Sequence, residues 1–435
     1  METEQELVGR IAFEDIKFSR KDIETVRGLF LGRYWFDLRD EELVRRIGAF
    51  RIEDGALLFP GIDDNHAWKR FDPILNECFL HLRHILYDKP TVYIHRNGGV
   101  PLVGTNEFGL VDRGSNIIEV KPLTGCNFQC NYCSVDEGKN DKTHDYVVEE
   151  EYLAQEAAKL ASRKEHPVEF NIGPQGEPLL YPKFVELVRD LKRIPNCAIV
   201  SVNTNGSMLT EKLIDRLAEA GLTRINLSLN AASQETANTL AGRTYPLEHV
   251  LRMVAYAQGR INILLAPTIV PGFNDDQVEG LVRIGTTIKS EFPVLGFQNF
   301  LHYKKGRNIA PERSFEEFFA MLKPLEEKYG VKLTGFTKED FRIFDEPELE
   351  KTMRKNEVVK VRIAVPARYP GEIVGVAHDR CVTVVGPGAH ELPLGKTVTV
   401  RIIRDKHNID IARRTVAKYR EMMGILSSAK RKKLY

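Results

Sequence analysis

From residue 117 to residue 300 the chain alternates short apolar runs with amphipathic stretches, and no other feature limits its fold as strongly. Strand candidates fall at 117–122, 167–172, 198–203, 224–230, 261–269 and 294–300. Helical patterns lie between and after them, at 149–162, 183–193, 211–220, 233–240, 247–258 and 277–290. Strands joined through single helices pair in parallel by right-handed crossovers. Six such units make an α/β fold, a partial (β/α)6 TIM-like barrel. Ligands of such folds bind at the C-terminal ends of the strands, so chemistry is expected in the loops after them.

The loop after the first strand candidate carries Cys126, Cys130 and Cys133, at offsets of four and three. Thiolates are soft ligands that select zinc, copper(I) or iron–sulfur clusters. A structural zinc site almost always takes four protein ligands, and the next cysteine here is Cys197. A [4Fe–4S] cubane on three cysteines instead keeps one iron open for an outside ligand. Gly125 and the polar residues between the cysteines do not suit the bland alternative, three small hydrophobes in a core strand.

The C-x-x-x-C-x-x-C spacing, with Tyr132 just before the last cysteine, resembles the signature of radical S-adenosylmethionine (SAM) enzymes. The resemblance implies a [4Fe–4S] cluster on Cys126, Cys130 and Cys133 whose open iron chelates SAM. It also implies reductive cleavage of SAM to a 5′-deoxyadenosyl radical that abstracts hydrogen from a substrate. Other strand ends match in turn. Gly176, Glu177 and Pro178 resemble the segment that hydrogen-bonds the methionine amino group. Asn203 and Asn205, within Asn203-Thr204-Asn205-Gly206, resemble a Thr-Asn-Gly common at that place. Ser228 and Asn230 offer polar side chains to a ribose, and Pro267 opens a loop resembling the one that lines the adenine pocket. Together with Tyr132 these are the expected SAM contacts. After the sixth strand, residues 298–307 mix cations with aromatics and suit a phosphate- or carboxylate-bearing substrate. His302, among them, is a candidate proton relay.

The remainder divides by pattern. Residues 1–110 read as a mostly helical segment, with helices starting near Ser19 and at 40–50 and 72–86. Cys78, His81 and His84 in the third of these are a minor metal candidate. The core is assigned to 111–310, and 311–355 to a helical extension and linker. Ser314 and Glu317 form a capping box there, ahead of an apolar stripe of Phe315, Phe318, Phe319, Leu322 and Leu325. Residues 356–405 switch to period two, the pattern of a small OB-like β-barrel, and 406–435 read as a basic helix and tail.

The layout of 356–405 resembles a TRAM domain, which implies RNA as the partner, tRNA first, held by the barrel and the basic tail. The pairing as a whole resembles archaeal TRAM-containing radical SAM Fe–S oxidoreductases. Charge agrees: residues 356–435 carry 16 Lys/Arg and 7 Asp/Glu, a surplus of +9 against −8 for the rest. Methylthiotransferases share this pairing but hold a second cluster on three N-terminal cysteines. Only Cys78 precedes Cys126 here, so sulfur insertion is disfavoured. Two rival readings stand beside the RNA-modifying enzyme. One is a radical SAM enzyme acting on a lipid, peptide or small metabolite. The other is an RNA-binding protein with a structural or redox-sensing cluster. The enzyme readings require an electron donor such as a ferredoxin or flavodoxin. No run approaches the ~18 apolar residues of a membrane helix, the acidic start is unlike a signal peptide, and six cysteines are too few for a disulfide scaffold. A cytoplasmic protein without membrane contact is expected.

Overall fold

The computed structural model describes residues 7–138 and 142–404. Its centre is a six-stranded sheet in which Ile117–Lys121, Val168–Ile172, Cys197–Thr204, Arg224–Leu227 and Asn262–Leu265 run parallel in that order. Gly109–Asp112 lies antiparallel at one edge. Helices Glu150–Ala161, Phe184–Lys192, Glu211–Ala220 and Leu247–Ala257 make the crossovers, with Gln234–Ala241 as an extra helix before the fifth strand. The sixth expected strand is shorter than its apolar run. Thr268–Ile269 pairs with Gln298–Asn299, and the link back to the sheet is a single Leu265–Leu295 bridge.

Register sorts the parallel strands into two faces. Ile118, Val120, Phe170, Ile172, Val200, Val202, Ile225 and Leu227 share one face, all within 2 % of full burial. The other face is polar. Glu169 Oε1 accepts from Ser201 Oγ and from the Arg224 guanidinium, each at 2.6 Å. Arg224 donates to Asn226, which donates to Asn203, which donates to Asn171, which donates to Ser201. Buried polar groups need such partners, and a closed ring of them fixes one arrangement of the strands. Below this layer, Phe336, Phe341 and Ile343 pack with Ile117 and Leu264 as a plug. Asn116 ties the plug down, donating to Arg342 O and accepting from Phe344 N. A cavity opens at the C-terminal ends of the strands.

The N-terminal segment corrects the sequence expectation. Residues 8–94 hold eight strands and two helices, among them Ile16–Arg20, Thr25–Phe30 and Tyr34–Arg39 paired antiparallel. After the expected helix start near Ser19, Ile23, Val26 and Phe30 are spaced as one helix face. Burial instead alternates strictly through Thr25–Phe30, and Ile23 is 94 % exposed. Val26 and Phe30 share a face by period two, with Gly28 between them beneath the ring of Phe36. The third expected helix runs Asp64–Phe79, capped by Asp63, so His84 falls in the strand Leu82–His84.

Helix Phe315–Tyr329 forms with both bonds of its capping box and buries Phe318 and Leu322. Beyond it, Val358–Pro366, Glu372–Ala377, Arg380–Val385 and Thr397–Arg401 make a four-stranded antiparallel sheet. It docks onto the core through Cys381 N to Val103 O at 2.9 Å and Tyr146 OH to Pro366 O at 2.8 Å. The basic tail expected at 406–435 lies outside the described residues. Among the described residues, no helix is long and apolar enough to cross a membrane.

Candidate active site

Cys126, Cys130 and Cys133 line one cavity of about 240 Å³ at the C-terminal ends of the strands. Tyr132, Gly176, Glu177, Asn203, Asn205, Ser228 and Asn230 line it too. Pro178 and Pro267 do not. Pro178 begins a single 3-10 turn behind the cavity, and Pro267 O accepts the Gln298 amide at 2.8 Å, joining the fifth and sixth strand segments.

The turn before Pro178 is locked to the cysteine loop. Gly176 has φ +62°, and a Cβ there would fall on the Gly125 carbonyl, whose oxygen accepts the Glu177 amide at 2.9 Å. Only glycine allows both the left-handed backbone and the approach. The Glu177 carboxylate turns inward, accepting from Thr204 Oγ1 at 2.7 Å, Asn205 N at 2.8 Å and Leu179 N at 3.0 Å. The side chain thus fastens its own turn to the loop after the third strand, while its backbone amide ties the turn to the cysteine loop. Asn205 Nδ2 reaches Asn127 between the first two cysteines at 3.0 Å. Asn230 donates to Tyr132 OH at 2.5 Å and accepts from Thr268 N at 2.7 Å. The strand-end asparagines therefore bind the cysteine loop to the sheet. Ser228 lines the cavity wall.

The thiols fit an iron–sulfur cluster. Burial holds Cys126 well above the ordinary thiol range and pushes Cys130 up to about 12, and coordination to a cationic centre reverses that preference. Donors for thiolate sulfur are in place, with Phe128 N 3.5 Å from Cys126 Sγ and Glu137 N 3.3 Å from Cys133 Sγ. Among the described residues, no three His, Cys, Asp or Glu side chains converge tightly enough for a single ion. A cubane does not ask for that, since each thiolate takes a different iron.

Two arginines that the sequence reading did not assign to the loop hold it. Arg307 donates to Cys130 O, to Asp136 and, at 2.7 Å, to Glu137 O. It is 8 % exposed, so this member of the 304–307 cation cluster is structural, where the sequence suggested a substrate contact. His302 is likewise engaged, its Nε2 donating to Ala310 O at 2.6 Å. Arg368, in the turn after the first strand of the C-terminal sheet, donates to both oxygens of Glu137, at 2.5 and 2.9 Å. Burial opposes the Glu137 charge, but Arg368 and Lys142 outweigh it and bring the carboxyl down to about 2. No local pattern marks such a contact across 231 residues.

The cavity also has a cationic corner that sequence reading missed. Lys121 Nζ donates to Asn106 O and Oδ1 at 2.8 and 2.9 Å and lies 3.3 Å from Glu119, which also holds Arg113 at 2.7 Å. Burial lowers Lys121 to about 8 against the pull of Glu119. The alternation along Ile117–Lys121, with Glu119 and Lys121 on one face, was the available signal.

The radical SAM superfamily model matches residues 120–284. A GTP 3′,8-cyclase of Chlorobaculum tepidum is 30 % identical over 255 residues, covering 56 % of this chain and 74 % of that protein. The chain belongs to the radical SAM superfamily. As a radical SAM enzyme it uses a [4Fe–4S] cluster and SAM, and the three thiols with their amide donors suit that pair. An uncharacterized protein of Methanocaldococcus jannaschii is 36 % identical over 357 residues, 76 % of this chain and 82 % of that one. A GTP 3′,8-cyclase of Crocosphaera subtropica is matched over only 50 % of its own length. Among solved structures, SuiB of Streptococcus suis bound to S-adenosylmethionine covers 74 % of this radical SAM chain and 71 % of its own, at 12 % identity and TM-score 0.41. A second family model, the sigma-54 DNA binding domain, matches residues 379–433.

Proposed function

We propose that this radical SAM enzyme modifies RNA, tRNA first, presented to a partial (β/α)6 barrel by a TRAM-like, OB-like C-terminal module. One observation carries the reading. The cysteine cavity adjoins a second cavity of about 550 Å³ against the C-terminal antiparallel sheet, and Asn106, Val135 and Gln175 line both. Lys304, Lys305, Arg401 and Arg404 line the second cavity, with Glu107 and Glu372 as its acidic members. A cationic groove leading to a buried reactive centre suits a phosphate backbone with one nucleotide turned inward. The DNA-binding family model over residues 379–433 points to the same chemistry.

When bound, the cluster and SAM supply a 5′-deoxyadenosyl radical. The chain's own residues set where it acts. Cys126, Cys130 and Cys133 would hold the cluster. The backbone of Gly176 and Glu177, with Ser228 and the Tyr132–Asn230 pair, would hold SAM. The buried polar ring and the Phe336–Ile343 plug close the space beneath, so substrate enters from the groove side and water is kept from the reacting atoms.

A second reading takes a small anionic metabolite into the same cavity. Arg113 and Lys121 favour it, being buried cations at the cavity wall, as do the relatives named GTP 3′,8-cyclases. Anaerobically reconstituted protein given dithionite and SAM is expected to form 5′-deoxyadenosine, and Cys130→Ala to form none. Bulk tRNA should bind the full chain and bind Arg401→Glu several-fold more weakly. A deletion strain whose tRNA nucleosides match its parent's would overturn the RNA reading and leave the metabolite.

A further inference from the structure

The cysteine loop has a second side. A separate cavity of about 650 Å³, lined by Leu86, Tyr87, Lys89, Cys126, Asn127 and Arg243 among others, touches Cys126 from outside the SAM cavity. Its outer lip is a hairpin tip joining Leu82–His84 to Pro90–Ile94. This tip is rigid. Arg83 Nε donates to Asp88 at 2.6 Å, Leu86 N to His84 Nδ1 at 3.1 Å, and the His84 and Tyr87 rings stack at 4.0 Å with 2° between planes. Yet the tip holds two aliphatic side chains in solvent, Ile85 at 52 % and Leu86 at 56 % exposure.

Tyr87 connects this lip to the site. Its hydroxyl lies where a Cβ on Gly125 would sit, so the ring reaches the backbone immediately before Cys126. Two cations line the opening. Arg243 is exposed and donates to Asn127 O at 2.8 Å, and Lys89 lines the same cavity. The two carboxylates on that wall, Glu137 and Asp145, are both held by the buried guanidinium of Arg368. Exposed aliphatics beside cations are the makings of a small, electrostatically steered encounter surface, the type that transient redox partners use.

We propose that the tip at residues 85–89, together with Arg243, is the docking face for an acidic one-electron carrier protein of the flavodoxin or ferredoxin class, with Tyr87 as its contact to the cysteine loop. The carrier loses one electron and the cluster gains it; no proton or group moves in this step. SAM and substrate occupy the opposite cavity, so reduction and chemistry use different sides of one loop. The inference rests on the cluster held by Cys126, Cys130 and Cys133.

Cluster reduction in anaerobically reconstituted holoenzyme tests it, followed by the loss of visible absorbance and the appearance of a low-temperature paramagnetic signal. The reductants are dithionite, reduced flavodoxin and reduced ferredoxin. The double variant Ile85→Glu with Leu86→Glu, and separately Arg243→Glu, should slow reduction by a protein carrier at least tenfold and leave the dithionite rate unchanged. Added salt should slow the carrier in the unaltered chain. Ile85 and Leu86 lie on the hairpin tip, outside the cysteine loop, so their variant holds the test if Arg243→Glu disturbs Asn127. Unchanged carrier rates in the Ile85/Leu86 variant would overturn the docking face, as would an equal loss with dithionite. An unaltered chain without a dithionite-reducible cluster would overturn the reading of the site, and the docking face with it.

Discussion

Arg368, which follows the first strand of the C-terminal sheet, grips Glu137, four residues past Cys133, with one nitrogen on each carboxylate oxygen at 2.5 and 2.9 Å. Both side chains are almost wholly buried, at 1 % and 4 % exposure. The second guanidinium nitrogen also reaches Asp145 at 2.7 Å. The module expected to bind substrate is thereby fastened to the loop expected to bind the cluster.

Removing one member of a buried, hydrogen-bonded ion pair leaves a charge without a partner, at a cost of about 3–5 kcal/mol. Arg368→Ala should lower thermal stability by that order and reduce the iron retained per chain after reconstitution and desalting. Arg368→Lys should recover part of the stability, because one ammonium cannot span both oxygens. Full iron retention in Arg368→Ala would detach the cysteine loop from the C-terminal sheet.

The same pair gives an acid limit to stability. Glu137 is held down to about 2 in the fold from an ordinary 4.5, so its contribution is present above the unfolded value and lost as pH falls. Between pH 4.5 and 2 the unfolding midpoint in urea should fall more steeply for the unaltered chain than for Glu137→Gln. The variant should be less stable near neutrality, where the pair is intact.

Gly176→Ala places a methyl group on the Gly125 carbonyl and a side chain at φ +62°. The turn must move, and with it the backbone expected to meet the methionine end of SAM. SAM affinity of the reconstituted protein, by calorimetry, should drop at least tenfold, about 1.4 kcal/mol. Iron content should change much less, since Gly176 carries no ligand. Affinity equal to the unaltered protein would remove the turn from the SAM site.

Much of the core was legible because its signals are local. The strand spanning Ile117–Lys121 and the helix spanning Glu211–Ala220 are written in runs of about five to ten residues, and the cysteine motif in eight. Glycine at 176 was legible as a turn, but its contact with Gly125 was not, since no pattern relates residues 51 apart. The N-terminal sheet misled because Val26 and Phe30 satisfy both a helical and a period-two spacing, and the spacing of Ile23 tipped the balance the wrong way. Only burial separates those readings. Arg307 read in sequence as a substrate contact, and nothing in the sequence singled out Arg368. Their partners are backbone carbonyls and carboxylates brought in from 170 residues or more away.

Glu150 and Asp190 set a different pH response, remote from the cysteines. Glu150 is half-buried, one of its oxygens has no partner, and the Asp190 carboxylate stands beside it. Burial first and Asp190 second push the Glu150 carboxyl up to about 7 from 4.5. A raised carboxyl contributes stability that is complete below the unfolded value and is lost as pH rises through the folded one. The protonated acid donates to Asp190, whereas the ionised one repels it. Glu150→Gln keeps a donor at every pH and never ionises. Its melting temperature should match the unaltered chain at pH 5 and exceed it at pH 8, by roughly 1 °C for each kcal/mol of repulsion removed in a chain of this length. Equal melting curves at pH 8 would mean that water reaches this pair and screens it.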